Sequence, residues 1–322
     1  MTTASSRLGA ASAPAVLYVR PPLGKRLQVQ LQKHGTNVLL ISPFLVLFAI
    51  FVVWPVFRSA YLSFTDYHAT NDPAWIGFDN YVELFADERF YRALSNTFTY
   101  MALVSSLAVV LGLLLAIAYG TQKRSHQWIR IAFFLPSVAG GVGVISVWKW
   151  LANSEPYGLF NTIRSWFGLD PVRFLGDPAW AVPLLVMLAV WTVMGYNLVI
   201  FVAGMRSISA DIYEAAALDG ATPAQRFFYI TLPLLRPTIL YVLITGMIAS
   251  FQVFYEPYIL FGTVDSIGGP LDSALMLVTY LFDHGFRQLD LGYASAVAWV
   301  LTTILFGLTV INMRLGRANE GV

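Results

Sequence analysis

Six long apolar runs constrain the fold of this 322-residue chain more than any other feature of its sequence. A helix needs about 20 apolar residues to cross the hydrocarbon core of a bilayer. A segment in lipid must also satisfy its own backbone hydrogen bonds, so each run is interpreted as a helix. The sequence therefore predicts an all-α integral membrane protein with six transmembrane helices. The predicted spans are residues 37–58, 95–120, 128–151, 181–205, 234–256 and 291–314.

Charged residues make up only 12% of the chain, against about 25% in soluble domains. Their distribution predicts the orientation, because Lys and Arg concentrate in the cytoplasmic segments of membrane proteins. With the N-terminus inside, the cytoplasmic segments hold 13 of the 20 basic residues, and the outer segments hold 14 of the 18 acidic residues. We therefore expect both termini in the cytoplasm, with a basic tail over residues 1–36 and a short tail over residues 317–322. No small-residue cleavage site follows the first run, which argues against a signal peptide.

The connection between the fourth and fifth runs, residues 207–233, carries two sets of helix start and stop signals. Ser209 is a good N-cap residue, and an acidic residue in the first turn interacts favourably with the helix dipole. A helix is therefore predicted from about residue 210 to Asp219. Gly220 follows as the left-handed stop that ends many helices.

A second short helix is predicted at residues 223–229. Thr222 and Gln225 have the spacing of a capping box, and Pro223 stands at the first helical position between them. The first helix carries three consecutive alanines at residues 215–217, which favour helix and let a partner's backbone approach closely. These features indicate a rigid element that contacts a soluble domain. The alternative is an amphipathic loop lying in the lipid headgroups.

This connection resembles the EAA loop of importer-type ABC permeases. Glu214, Ala215 and Ala216 match the triplet that names the loop, Gly220 matches its glycine, and residues 230–233 match its Ile-x-Leu-Pro end at the family spacing. Shorter phrases are similar to the carbohydrate-uptake permeases of the maltose and glycerol-phosphate type, and they occur in the same order. They lie at residues 63–66, 77–81, 133–136, 157–161, 176–178, 203–208 and 268–270.

The resemblance implies the type I ABC importer permease fold in a bacterial plasma (inner) membrane. It also implies four kinds of partner: a second homologous permease subunit, two ATPase subunits, an extracytoplasmic sugar-binding protein and the sugar itself. The sequence contains no GxxxxGK[ST] loop, so we expect no cofactor in this chain, with ATP and Mg bound by the partner ATPase. The residues expected to couple to the ATPase are Tyr213, Glu214, Ala215, Ala216, Asp219 and Gly220.

The resemblance also implies where the substrate binds. The matching stretch of the fifth span lines the sugar site in the maltose-type permease, so Gln252 and Tyr255 are expected to contact the substrate, with Phe251 stacking on it. Asn197 is added from a Gly-Tyr-Asn run in the fourth span. The alternative role for each polar residue is a hydrogen bond between helices. A neutral sugar is favoured over glycerol 3-phosphate, because no fixed cation is visible in the spans.

Three other classes of function fit the sequence less well. The chain has no cysteine, and its four histidines lie outside the apolar runs, so we expect neither a metal site nor the catalytic pair of a membrane enzyme. A channel or secondary transporter usually carries several charges within its spans, and these spans have almost none. The net charge of +2 does not indicate nucleic-acid binding.

Overall fold

A computed structural model describes residues 37, 39–120, 124–155, 157–263 and 266–318. The predicted basic tail over residues 1–36 lies outside the described residues, as do the last four residues of the predicted C-terminal tail. The chain divides into two units, Met1–Arg58 and Ser59–Val322.

The first unit contains most of helix α1 (Leu39–Leu62), which includes a π-helical turn at Ala49–Val53. The apolar side chains of this helix up to Arg58 are largely exposed. Such a surface suits lipid rather than water.

The second unit contains the remaining elements. A short antiparallel hairpin pairs β1 (Thr65–Asp66) with β2 (Ala74–Trp75), and an isolated β-bridge pairs His68 with Asp290. These small β contacts depart from the all-α prediction. The helices are α2 (Asp79–Ala86), α3 (Glu88–Tyr119), α4 (Arg124–Ala139), α5 (Val142–Leu151), α6 (Leu159–Trp166), α7 (Pro178–Arg206), α8 (Ala210–Leu218), α9 (Pro223–Leu234), α10 (Arg236–Phe251), α11 (Tyr255–Phe261), α12 (Leu277–Phe282) and α13 (Leu291–Ala318). A 3-10 turn, Pro270–Asp272, precedes α12, and a π-helical turn, Asp283–Arg287, follows it.

Four helices are long and apolar enough to cross a membrane, and two bent pairs bring the number to six. The candidate spans formed by one helix each are α1, α3, α7 and α13. The pair α4 and α5 bends by 105°, and the pair α9 and α10 bends by 61°. The predicted third span is therefore not one straight helix. Its break falls at Gly141, whose φ of +93° suits glycine and few other residues.

The predicted fifth span ends earlier than its apolar run suggests. Helix α10 stops at Phe251, Gln252 caps it, and α11 begins at Tyr255. Pro257 gives the physical reason, because a proline ring clashes with the carbonyl four residues earlier and so prevents the helix from continuing. Gln252 and Tyr255, two of the residues predicted to bind substrate, thus lie at a break between helices rather than inside a span.

The helix predicted at residues 223–229 is longer than expected. Helix α9 continues to Leu234 through a π-helical turn at Phe227–Thr231. Pro233 has no N–H to donate to the carbonyl four residues earlier, and a π-helical turn is one way for a helix to pass such a position. The coupling loop therefore joins the fifth span as a bent helix, with no free linker between them.

The core of the second unit is the packing of α7 against α3 and α4. Two glycines allow the close approach. A Cβ atom on Gly195 would lie 1.8 Å from the carbonyl oxygen of Phe133, and one on Gly112 would lie 2.6 Å from the Cβ of Asn197. Small residues at helix contacts are typical of membrane proteins, where close packing replaces the hydrophobic effect between helices.

Candidate coupling surface and transport cavity

Helix α8 forms as its local signals predict. The Ser209 hydroxyl accepts a hydrogen bond from the backbone N–H of Asp211 at 3.2 Å, which caps the start of the helix. The helix ends at Leu218, and Gly220 follows with a φ of +80°. The predicted start and the predicted left-handed stop are both confirmed.

The capping box at the start of α9 is also confirmed. The backbone N–H of Thr222 donates to Gln225 Oε1 at 2.8 Å, and the backbone N–H of Gln225 donates to Thr222 Oγ1 at 3.3 Å. These two hydrogen bonds give acceptors to backbone N–H groups that have no partner within the first turn of a helix. The turn between α8 and α9 is therefore fixed at both sides by local bonds.

A pair of hydroxyl groups connects α8 to the base of the fifth span. Tyr213 Oη lies 2.9 Å from Thr231 Oγ1. Because Thr231 Oγ1 donates to the carbonyl oxygen of Arg226 at 3.3 Å, the tyrosine hydroxyl is the donor in the pair. This bond joins two of the predicted coupling elements, the EAA helix and the Ile-x-Leu-Pro segment. The sequence pattern did not indicate the pairing, since it depends on how the two helices fold together.

The tip formed by α8 and α9 exposes large apolar side chains. Leu218 is 90% exposed, Tyr229 is 79% exposed, and Phe228 is also exposed. The predicted coupling residues Glu214 and Ala215 are exposed on the same helix. Clustered exposed apolar residues mark contact sites for a partner. Leu218, Phe228 and Tyr229 were missed in the sequence analysis, although an apolar residue directly before the Asp-Gly stop is a usable signal.

The other predicted coupling residues are either partly buried or lie at the end of α8. Ala216 and Tyr213 are partly buried on the inner side of α8. Asp219 is the C-cap residue, and with Gly220 it also lines a shallow depression between the two helices, of about 310 Å³. The structure thus brings the six predicted coupling residues together on one short element and its stop.

A larger cavity, of about 480 Å³, lies between α3, α7, α10 and the start of α11. Three of the four predicted substrate residues line it: Asn197, Gln252 and Tyr255. Further polar and aromatic side chains line the cavity beside the predicted ones. They are Tyr100, Ser105, Thr192, Tyr196, Tyr241, Thr245, Ser250, Phe254 and Glu256.

The predicted substrate residues have different surroundings. Gln252 and Tyr255 are exposed at the break between α10 and α11. Asn197 is 7% exposed, and its Nδ2 donates to the carbonyl oxygen of Ala108 at 3.1 Å, which is the interhelical bond of the alternative interpretation. Its side-chain oxygen remains available as an acceptor.

Phe251 does not line the cavity. Its side chain is 0% exposed, and its ring packs edge-on against Phe98 with the centroids 4.9 Å apart. A ring enclosed in this way has no free face for a sugar in this conformation. Phe254, three residues later, stands at the cavity and offers the aromatic surface instead.

Ser105 presents a buried hydroxyl to the same cavity. Among the described side chains, its Oγ is one of three buried polar atoms without a hydrogen-bond partner. A buried hydroxyl without a partner is costly unless a bound molecule or water satisfies it. The cavity can therefore offer hydroxyl, amide and aromatic groups to a neutral polar ligand.

The opposite end of the span bundle, here called the distal end, is held by charged and aromatic groups. Arg89 Nε donates to Asp272 Oδ2 at 2.9 Å, and Arg89 Nη1 lies 3.5 Å from Asp283 Oδ2. Asp283 also pairs with Arg287 at 3.1 Å. These contacts join the start of α3 to the segments before and after α12.

An aromatic group completes the distal end. The hydroxyl of Tyr280 donates to the carboxylate of Asp87 and lies 2.6 Å from the hydroxyl of Tyr293. His284 lies between the two tyrosines, with both ring-centroid distances at 4.6 Å. Burial raises the pKa of Tyr280, and its bond to Asp87 raises it further. Burial lowers the pKa of His284, which outweighs the opposite effect of Asp283.

Comparisons with known proteins agree with this architecture. Residues 87–318 match the family model described as "Binding-protein-dependent transport system inner membrane component". The chain is 37% identical over 274 residues to the probable ABC transporter permease protein YesP of Bacillus subtilis, covering 84% of this chain and 87% of that protein. It is 30% identical over 277 residues to the arabinooligosaccharides transport system permease protein AraP of Halalkalibacterium halodurans, covering 86% of each.

A solved structure is similar over nearly the whole chain. It is the bacterial alginate ABC transporter in complex with an alginate pentasaccharide-bound periplasmic protein, with 26% identity and a TM-score of 0.80. The match covers 92% of this chain and 99% of the chain in that structure. The six-span architecture and these similarities have one explanation: this chain belongs to the family of binding-protein-dependent transport system inner membrane components.

Proposed function

We propose that this chain is the membrane-spanning subunit of an ATP-driven sugar importer and forms half of its translocation path. The observation that carries the proposal is the lining of the cavity at the α10–α11 break. Hydroxyl, amide and aromatic groups converge there, and such groups suit the hydroxyls and C–H faces of a sugar. The relatives named for arabinooligosaccharide and alginate transport support the same class of substrate.

A neutral sugar is favoured over glycerol 3-phosphate, the alternative raised from the sequence. None of the described residues that line the cavity is Lys or Arg. Phosphate recognition usually relies on such groups. Glu256 lies at the same cavity and would repel a phosphate.

The proposed coupling is mechanical. Two ATPase subunits bind ATP and Mg on the cytoplasmic side, a second permease subunit forms the other half of the path, and an extracytoplasmic binding protein delivers the sugar. Both termini lie in the cytoplasm. The exposed apolar tip around Leu218 and Tyr229 docks into the ATPase, and the α8–α9 pair moves with it. The chain itself carries out no covalent chemistry.

The substrate assignment is tested with Gln252→Ala in the complete transporter reconstituted in proteoliposomes. Sugar uptake and sugar-stimulated ATP hydrolysis are both expected to need about fivefold or more substrate, since one hydrogen bond contributes about 1 kcal/mol. Thr302→Ala is the matched control, because that side chain is exposed on α13 and bonds only within its own helix. Unchanged uptake at every sugar concentration would remove Gln252 from the site.

The coupling assignment is tested by cross-linking, for which the sequence is convenient because it contains no cysteine. Leu218→Cys is expected to form a cross-link with the ATPase subunit, and the cross-link is expected to block uptake. Leu169→Cys, an exposed leucine between α6 and α7, is the control that should not react with the ATPase. Failure of the first variant to cross-link, or equal reaction of both, contradicts the proposed docking.

A further inference from the structure

A second surface cavity lies at the end of the spans that carries α8 and α9, here called the coupling end. It is separate from both sites described above. Its volume is about 520 Å³, and it lies between the first turns of α4 and the last turns of α7. Its lining residues are Gln127, Arg130, Ile131, Phe134, Val199 and Arg206.

Two arginines give this cavity its charge. Neither Arg130 nor Arg206 takes part in an ion pair among the described residues. The one bond that Arg130 donates there, from Nε to the carbonyl oxygen of His126, is long at 3.4 Å. The cavity therefore presents two guanidinium groups without a carboxylate, together with the amide of Gln127.

The apolar lining residues lie on the same two helices as the arginines and extend the cavity further along the spans. Ile131 and Val199 are exposed, and Phe134 is partly exposed one turn beyond Arg130. The ring of Trp128, on the same turn of α4, is 73% exposed. Tryptophan is enriched at the level of the lipid headgroups, and charged side chains near span ends reach that level.

We propose that this cavity binds the headgroup of an anionic phospholipid. The phosphate lies between Arg130 and Arg206, and an acyl chain follows the groove of Ile131, Phe134 and Val199. Basic pockets between spans are suited to such headgroups, and guanidinium forms paired hydrogen bonds with phosphate. The apolar wall favours a lipid over free phosphate or an acidic protein segment, because neither of those would cover it.

The expected affinity follows from the charges. A basic side chain near an anionic membrane surface contributes about 1 kcal/mol, which corresponds to about a fivefold change in binding for each arginine. Removing both charges should therefore weaken retention of the lipid by more than tenfold. Lysine at both positions should retain most of the binding, although it lacks the paired geometry of arginine.

The test uses the complete transporter in nanodiscs that contain phosphatidylcholine and phosphatidylglycerol, followed by native mass spectrometry to count bound lipids. The wild-type complex is expected to retain phosphatidylglycerol, and the double variant R130Q/R206Q is expected to lose it. The control is R173Q, an exposed arginine before α7 at the distal end, which should behave like the wild type. The variant R130K/R206K checks that any loss does not come from misfolding.

Three results would overturn the proposal. The first is equal retention of phosphatidylglycerol by the wild type and R130Q/R206Q. The second is release of the lipid by millimolar inorganic phosphate, which would assign the arginines to a soluble anion. The third is a cross-link from Ile131→Cys to another subunit of the transporter with no phosphatidylglycerol bound, which would make the cavity a protein contact.

Discussion

The helices are held together by different kinds of contact at the two ends of the span bundle. At the distal end, Arg89 bonds to Asp272 and Asp283, which are 183 and 194 residues further along the chain. At the coupling end, α8 is connected to the base of the fifth span by Tyr213 and Thr231, which are 18 residues apart. Long-range charged bonds join the elements of the distal end, whereas one hydroxyl pair is the side-chain bond that links α8 to the fifth span among the described residues.

This difference bears on how motion passes through the molecule. The distal contacts hold the starts of α3 and α13 and the segment around α12 in one arrangement. The tip of α8 and α9 has exposed apolar side chains and few side-chain bonds to the spans among the described residues, so we expect it to shift more readily than the distal end. A short rigid helix that is bonded to the base of a span transmits its displacement to that span.

Removing Arg89 should lower the stability of the transporter more than the substitutions at Tyr213 and His284. Arg89→Met removes the ion-pair partner of Asp272 and leaves the Asp283 carboxylate with Arg287 and Gln288. We expect the free energy of unfolding to fall by about 1–3 kcal/mol, the usual cost of losing hydrogen bonds to charged groups, and closer to the lower value because Arg89 is 41% exposed. Thermal unfolding of the purified transporter measures the change.

Arg173→Met is the matched control for that experiment, since Arg173 is exposed and lies outside every ion pair found among the described residues. Equal melting temperatures for the two variants would show that the charged cluster does not hold the distal end together.

Removing the hydroxyl of Tyr213 should have a smaller and more local effect. Tyr213→Phe keeps the ring and deletes one hydrogen bond, so we expect a loss of about 1 kcal/mol in the local stability of α8. Amide hydrogen exchange of α8 should become about fivefold faster, with little change in the melting temperature. Sugar uptake per ATP hydrolysed should fall, because the helix transmits less of its motion.

Tyr157→Phe is the control, since that exposed tyrosine stands outside the coupling end. If Tyr213→Phe changes neither the exchange of α8 nor the ratio of uptake to hydrolysis, the attachment lies elsewhere and the contrast between the two ends loses its functional meaning.

The difference between local bonds and long-range contacts also explains which features could be predicted from the sequence. Ser209, Gly220 and the Thr222–Gln225 capping box act within one helical turn, so their signals are complete in the local sequence. The bend at Gly141 and the break between α10 and α11 were not predicted, although Gly141 and Pro257 mark them, because a count of apolar residues ignores backbone geometry.

The remaining features depend on tertiary packing. The pairing of Arg89 with Asp272 has no sequence signature, since any of several acidic residues in the distal segments has the same local pattern. The difference between Phe251, which is enclosed, and Gln252, which is exposed, depends on where α10 ends relative to its neighbours. The sequence analysis named three residues that line the cavity, Asn197, Gln252 and Tyr255, but it did not anticipate that Phe251 is enclosed.

The smallest expected effect concerns pH at the distal end. Burial lowers the pKa of His284 below its ordinary value of 6.5, so the folded state binds this proton less readily than the unfolded state. The contribution of the neutral histidine is therefore present above pH 6.5 and is lost as the pH falls through 6.5 towards the lower folded pKa. Between pH 8 and pH 5.5, the melting temperature of wild type should decrease more than that of His284→Gln. Hydrogen exchange of α8 should show no such difference, because the group that titrates lies at the other end of the bundle. Identical pH slopes for the two proteins would mean that His284 accepts the proton without disturbing Tyr280 and Tyr293.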